Sequence, residues 1–254
     1  MRIALLTKRH TGLCAVLAAR AQGAGHEVTS FDLATLVVDD TLAAFDLVVL
    51  KSKQLYFLYA GLHAKALGAT VVPDPEVSRT VTTRIEMPFI AARAHIATPR
   101  FWFASPDAIR ERLPASDFPL VRKHIVGSGS TGVELVPLKS DLPRTSDQHL
   151  YLEQFVRGQH LLVYFIEDDT RVYEKRPFVS GREPVRRVGV AADVAAAVER
   201  WRRTTGLAFG HLDFVRDERT QALMLVDAGP FPQFRHWQGA AERVSRIVLD
   251  ALQP

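Results

Sequence analysis

With 254 residues, 47% of them hydrophobic and 24% charged, the chain can bury a large core as one large or two small domains. Its apolar runs are too short to span a bilayer, and residues 1–6 open as a strand without the long apolar stretch and cleavage site of a signal peptide, so a cytoplasmic protein with no membrane partner is expected. A single cysteine, Cys14, excludes an internal disulfide and a cysteine metal cluster, and the nine histidines show no metal-ligand spacing. The net charge of +4 is uneven, because Arg171, Lys175, Arg176, Arg182, Arg186 and Arg187 face only Glu174 and Glu183 in one short stretch. That points to an anionic ligand. The stretch lacks repeated aromatic platforms, and no zinc-finger or basic-zipper pattern occurs, which argues against nucleic acid.

In chain order, an apolar strand over residues 2–7 leads to an alanine-rich helix over 13–22 closed by Gly23 and Gly25, then a strand over 27–33. A buried strand over 46–50, a helix running through Ala66 and a strand over 70–72 ending at Pro73 complete an α/β unit with a parallel sheet, set as residues 1–78. The loops after its strands carry Lys8, Arg9, His10, Lys51, Ser52 and Lys53. Without a G-x-G-x-x-G turn they suit substrate contact better than a dinucleotide, with solvated loop charge the equal alternative.

The pattern then changes. One helix is expected over 81–95, a strand over 101–104 and a short helix from Ser105-Pro106. A strand pair over 119–136 follows, then two antiparallel segments over 150–178 meeting at Glu167-Asp168-Asp169. A helix over 191–203 capped by Gly206, a hairpin of 211–215 with 222–227, and an amphipathic helix over 238–252 close the chain. The second domain is set as 79–254, divided at 150/151 into central and C-terminal subdomains.

The most informative stretch is residues 122–133, Arg-Lys-His-Ile-Val-Gly-Ser-Gly-Ser-Thr-Gly-Val. Phe118, Pro119, Leu120 and Val121 read as a buried strand that delivers Lys123 as a point charge beside the loop. Gly127, Gly129 and Gly132 can bring backbone N–H groups close to phosphate oxygens, and Ser128, Ser130 and Thr131 add hydroxyl donors. Taken alone, the loop fits a polar hairpin turn with a solvent-facing lysine equally well.

This order of elements, with Lys123 and its loop, Glu153-Gln154-Phe155-Val156, Arg176, Asp213 and Asp227, resembles the ATP-grasp superfamily over nearly the whole chain. The resemblance implies an N-terminal α/β domain followed by two α+β subdomains that close over ATP. In it, the linker of Glu153, Gln154, Phe155 and Val156 holds adenine, and Arg84 is a phosphate-contacting residue. Lys123, Gly127, Ser128, Gly129 and Ser130 meet the phosphates, Arg176 contacts the transferred phosphoryl or a substrate anion, and Asp213 and Asp227 hold Mg²⁺. Locally, Arg176-Pro177-Phe178 and Asp227-Ala228-Gly229-Pro230-Phe231-Pro232 resemble inositol trisphosphate 5/6-kinases, and ribosomal-protein glutamate ligases share the general plan.

Two positions depart from that pattern. Gly229 stands where an asparagine ligand is usual, and His160-Leu161-Leu162 replaces an Asp-x-Arg that would supply a second arginine. Asp213 and Asp227 share a strand face only if paired residue numbers across their hairpin sum to an even number, which the turn over 216–221 does not settle. The resemblance implies an ATP-dependent ligase that joins a carboxylate to an amine through an acylphosphate. A kinase acting on an anionic hydroxyl substrate and a non-catalytic ATP-binding relative are the alternatives. The expected partner is an anionic small molecule or peptide, with a homodimer left open.

Overall fold

A computed structural model describes residues 1–125, 132–143, 149–176 and 185–252. Its N-terminal unit contains β1 (Arg2–Leu6), α1 (Gly12–Gly23), β2 (Glu27–Phe31), β3 (Leu47–Leu50), α2 (Leu55–Ala66) and β4 (Thr70–Val72). The strands form a parallel sheet in the order β2-β1-β3-β4. Ile3, Leu5, Leu47 and Val49 pack one face against Leu13 and Leu17 of α1, while Ala4, Leu6, Val48 and Leu50 pack the other against Phe57 and Leu58 of α2. Continuous apolar strands are what a sheet covered on both faces requires.

The helix expected over 81–95 is two helices, α3 (Pro75–Thr82) and α4 (Met87–Arg93). An unbroken helix would have needed an N–H from Pro88 to the Arg84 carbonyl, which proline cannot donate and against which its ring would clash. The break holds Arg84 in a turn. β5 (Phe101–Ala104) and α5 (Pro106–Arg112) follow, then β6 (Leu120–Lys123), β7 (Val133–Val136) and β8 (Leu150–Gln154). These four strands make an antiparallel sheet in the order β5-β8-β6-β7. Leu120, Val136, Leu150 and Leu152 bury one face of it under Ile109 and Leu113.

β8 pairs with both β5 and β6, so residues 150–154 belong to this second sheet. The first of the two antiparallel segments expected over 150–178 is two strands in different sheets. β9 (Gly158–Ile166), β10 (Asp169–Lys175), β11 (Arg186–Val188), β12 (Phe209–Asp217) and β13 (Leu223–Gly229) form the third sheet in the order β11-β10-β9-β12-β13. Leu161, Val163, Phe165, Leu212 and Phe214 bury its outer face against α4 and α6 (Ala192–Thr205), whose Trp201 is 1% exposed. Gly206 ends α6 in the left-handed conformation.

The last helix, α7 (Ala240–Asp250), spaces Ala240, Val244 and Val248 four apart, and they pack with α1 and with Phe231, Phe234 and Trp237 in one core. That core also takes Leu162, Tyr164 and Tyr173 from the inner face of the third sheet, so the N-terminal unit and the third sheet share one apolar contact. Among the described residues no helix is long and apolar enough to cross a membrane.

Candidate functional site at the junction of three sheets

On β6 and β8, Val121 faces Glu153 and Lys123 faces Tyr151, so Lys123 and Glu153 are diagonal neighbours on one face. That face lies opposite the one buried under α5. The Lys123 ammonium and the Glu153 carboxylate form an ion pair with side-chain exposures of only 7% and 4%. Lys123 also donates to the Val226 carbonyl of β13 at 2.7 Å, bridging the second and third sheets. Tyr151 is 1% exposed, and burial together with the Glu153 carboxylate pushes its hydroxyl pKa up. Arg84 is 2% exposed and donates to the His124 carbonyl, while its buried Nε–H has no hydrogen-bond partner.

Val226 is free to accept because it is the extra residue of a β-bulge. Phe214 pairs with Leu225 and Val215 with Met224, but Asp213 pairs with Asp227 and His211 with Gly229. The ladder sum therefore changes from odd to even at the bulge, and that change turns Asp227 onto the same face as Asp213. Without it, Asp227 would point into the apolar core that holds Leu225 and Ala228. The face also carries Leu162 and Tyr164 from β9, opposite Asp213 and His211.

Cations surround the acid pair. Lys175 of β10 reaches across β9 to hold Asp213 Oδ2 at 2.6 Å, while the other carboxylate oxygen, Oδ1, is buried without a partner. Lys53, from the loop after β3, donates to the Ala228 carbonyl at 3.2 Å. Burial would raise the Asp227 pKa, but Lys53, Arg84, His211 and Lys123 outweigh it and hold the carboxyl at about 2, so it is ionised at neutral pH. Lys51 donates to the Phe231 carbonyl at 2.8 Å and lies over the Phe231 ring. Burial brings its ammonium down to about 8. His211 is pushed down to about 4 by burial and by Lys53, against the pull of Asp213 and Asp227. His160, across the ladder from Lys175, is also brought to about 4 by burial and that lysine.

The predicted site residues thus divide. Lys123, Arg84, Glu153, Asp213 and Asp227 lie together where the second and third sheets meet. Gln154 ends β8, where its amide oxygen accepts from Arg100 Nε at 3.3 Å, and half-buried Phe155 and buried Val156 continue into the linker to β9. Arg176 is exposed at the end of β10, and it is its neighbour Lys175 that reaches Asp213. Gly127, Ser128, Gly129 and Ser130 lie outside the described residues. Gly132, at the far end of that loop, has φ +69°, and a Cβ on it would overlap the His124 ring.

Sequence reasoning missed His211 and Lys175. One donor atom each from His211, Asp213 and Asp227 lies within 4.8 Å of the other two. The signal was present as His-x-Asp on a strand, since residues two apart share a face. Two carboxylates, one of them with the unsatisfied Asp213 Oδ1, suit a divalent cation.

No protein-family model and no curated protein matches the sequence. Solved structures do match. The RimK domain protein ATP-grasp from Sphaerobacter thermophilus is similar over 100% of both chains, with a TM-score of 0.81 and 17% identity. The ATP-grasp ligase PsnB, complexed with minimal precursor, Mg and ADP, matches over 99% of this chain and 98% of its own, with a TM-score of 0.69 and 15% identity. A Chryseobacterium gregarium RiPP-associated ATP-grasp ligase, in complex with ADP and a leader and core peptide, matches over 99% and 96%, with a TM-score of 0.66 and 11% identity. The chain has the ATP-grasp fold.

Proposed function

We propose that the protein is an ATP-dependent ligase that activates a carboxylate as an acylphosphate and passes it to an amine. The observation that carries this reading is the clustering of Lys53, Arg84, Lys123 and Lys175 around Glu153, Asp213 and Asp227. A polyphosphate fits that imbalance. Lys123 and Arg84 bind the α- and β-phosphates, and Gly127, Ser128, Gly129 and Ser130 cover them. Glu153, Gln154, Phe155 and Val156 hold adenine, with Val156 giving an apolar wall.

Asp213 and Asp227 hold Mg²⁺, which when bound neutralises phosphate charge and orients the γ-phosphoryl. Lys175 orients Asp213 through their ion pair, supplying the cation that Leu162 does not. A substrate carboxylate oxygen attacks the γ-phosphorus, the bond to the bridging oxygen breaks and ADP leaves. The amine then attacks the acyl carbon, phosphate departs, and the amine gives up a proton. Arg176, exposed at the cleft-side end of β10, meets the substrate anion. The peptide complexes of PsnB and of the Chryseobacterium ligase support a peptide carboxylate as substrate.

The test is product analysis with ATP, Mg²⁺ and panels of peptide carboxylates and amines. ADP release that needs both cosubstrates, with a product joined through loss of water, supports the ligase. ADP release with one hydroxyl acceptor and a stable phosphate ester would replace it with a kinase.

A further inference from the structure

The space beside Gly229 is filled by His211. A Cβ at Gly229 would lie 2.8 Å from His211 Nδ1 and 2.7 Å from Lys53 Nζ, and would overlap His211 Cε1. The imidazole therefore takes the volume a side chain at 229 would use. Its Nδ1 is buried and makes no hydrogen bond, as is Asp213 Oδ1. The partner strand positions are fixed by the ladder, with His211 opposite Gly229 and Asp213 opposite Asp227. One donor atom from each of His211, Asp213 and Asp227 falls within 4.8 Å of the others, which is close enough for a single ion to touch all three.

We propose that His211 is the third protein ligand of the cleft metal, together with Asp213 and Asp227, and that this mixed site prefers Mn²⁺ to Mg²⁺. This rests on the reading of Asp213 and Asp227 as metal ligands and goes beyond it. Mg²⁺ favours all-oxygen surroundings, whereas first-row ions such as Mn²⁺ accept imidazole alongside carboxylates. Gly229 is what leaves room for the ring, so the departure at 229 and the presence of His211 are one arrangement. Lys175 occupies only Asp213 Oδ2, leaving Oδ1 for the ion.

The test uses the whole protein with a non-hydrolysable ATP analogue and Mn²⁺. Electron spin-echo spectroscopy of the wild type should show modulation from a directly bound imidazole nitrogen, a readout that needs no variant and no turnover. By Mn²⁺ titration with Mg²⁺ competition, wild type should prefer Mn²⁺. His211→Ala should lose most of that preference, and His211→Ala combined with Gly229→Asn should recover Mg²⁺ binding without the nitrogen signal. Two results separate the ways of being wrong. Mn²⁺ binding unchanged in Asp213→Asn would overturn the metal site as a whole. Binding lost in Asp213→Asn but retained with the same Mn²⁺ preference in His211→Ala, and no nitrogen modulation in wild type, would overturn the part assigned to His211 alone.

Discussion

Lys123→Met, Glu153→Gln and their combination form a cycle whose outcome follows from the geometry of the buried pair. At 7% and 4% side-chain exposure, neither charge can be rescued by water. Lys123→Met leaves the buried Glu153 carboxyl without its cation beside Tyr151 and leaves the Val226 carbonyl without its donor, so it should cost about 4 kcal/mol, the range for one stranded member of a buried pair. Glu153→Gln is milder, at about 2 kcal/mol, because Lys123 keeps the Val226 carbonyl and the nearby Asp227 charge. The double variant strands no charge and should cost about 3 kcal/mol, giving a coupling of about 3 kcal/mol. Urea unfolding with thermal melts measures this. At roughly 3 °C per kcal/mol for a chain of this length, Lys123→Met should melt about 12 °C below wild type and the double variant about 9 °C below. The double variant should still fail to bind an ATP analogue. Single effects that simply add, or a double variant that binds nucleotide like wild type, would refute the assignment of this pair to the phosphate cleft.

Two further outcomes follow from single residues. Lys51 is held near pKa 8 against an ordinary 10.5, so the folded state disfavours its proton while the unfolded chain keeps it. Stability of the wild type relative to Lys51→Met should therefore rise as pH goes from about 8 to 10.5, by about 3 kcal/mol in urea unfolding, and parallel pH profiles would contradict this. Gly132→Ala places a side chain at φ +69° and against the His124 ring, and should cost at least about 1–2 kcal/mol. Adding His124→Ala should recover the part due to overlap, and no recovery would mean the backbone angle carries all of it.

Most of the element order could be read from the chain because strands such as β1 and β3 are unbroken apolar runs and helices such as α7 follow their burial period closely. What could not be read was tertiary in origin. Pro88 was visible, yet an apolar pattern on both sides of it hid the break that places Arg84. Leu150–Gln154 shares leucine and tyrosine with the strand after it, and only pairing with β5 and β6 assigns it to the central sheet. The acid pair shows the limit most clearly. Residue numbers alone left the shared face of Asp213 and Asp227 undecided, since the hairpin leaves its turn in the odd register and one bulged residue, Val226, reverses it. Likewise His211 becomes notable only when Gly229 is seen opposite it, and Lys175 only when β10 is laid beside β9.

The central claim is a metal-assisted nucleotide site in the cleft between the second and third sheets. Its most direct test is calorimetric titration of the protein with a non-hydrolysable ATP analogue, with and without divalent metal, alongside Asp213→Asn. The account predicts binding that metal strengthens in wild type and does not strengthen in the variant. Folded protein that binds no analogue, or a variant with unchanged metal dependence, would contradict it.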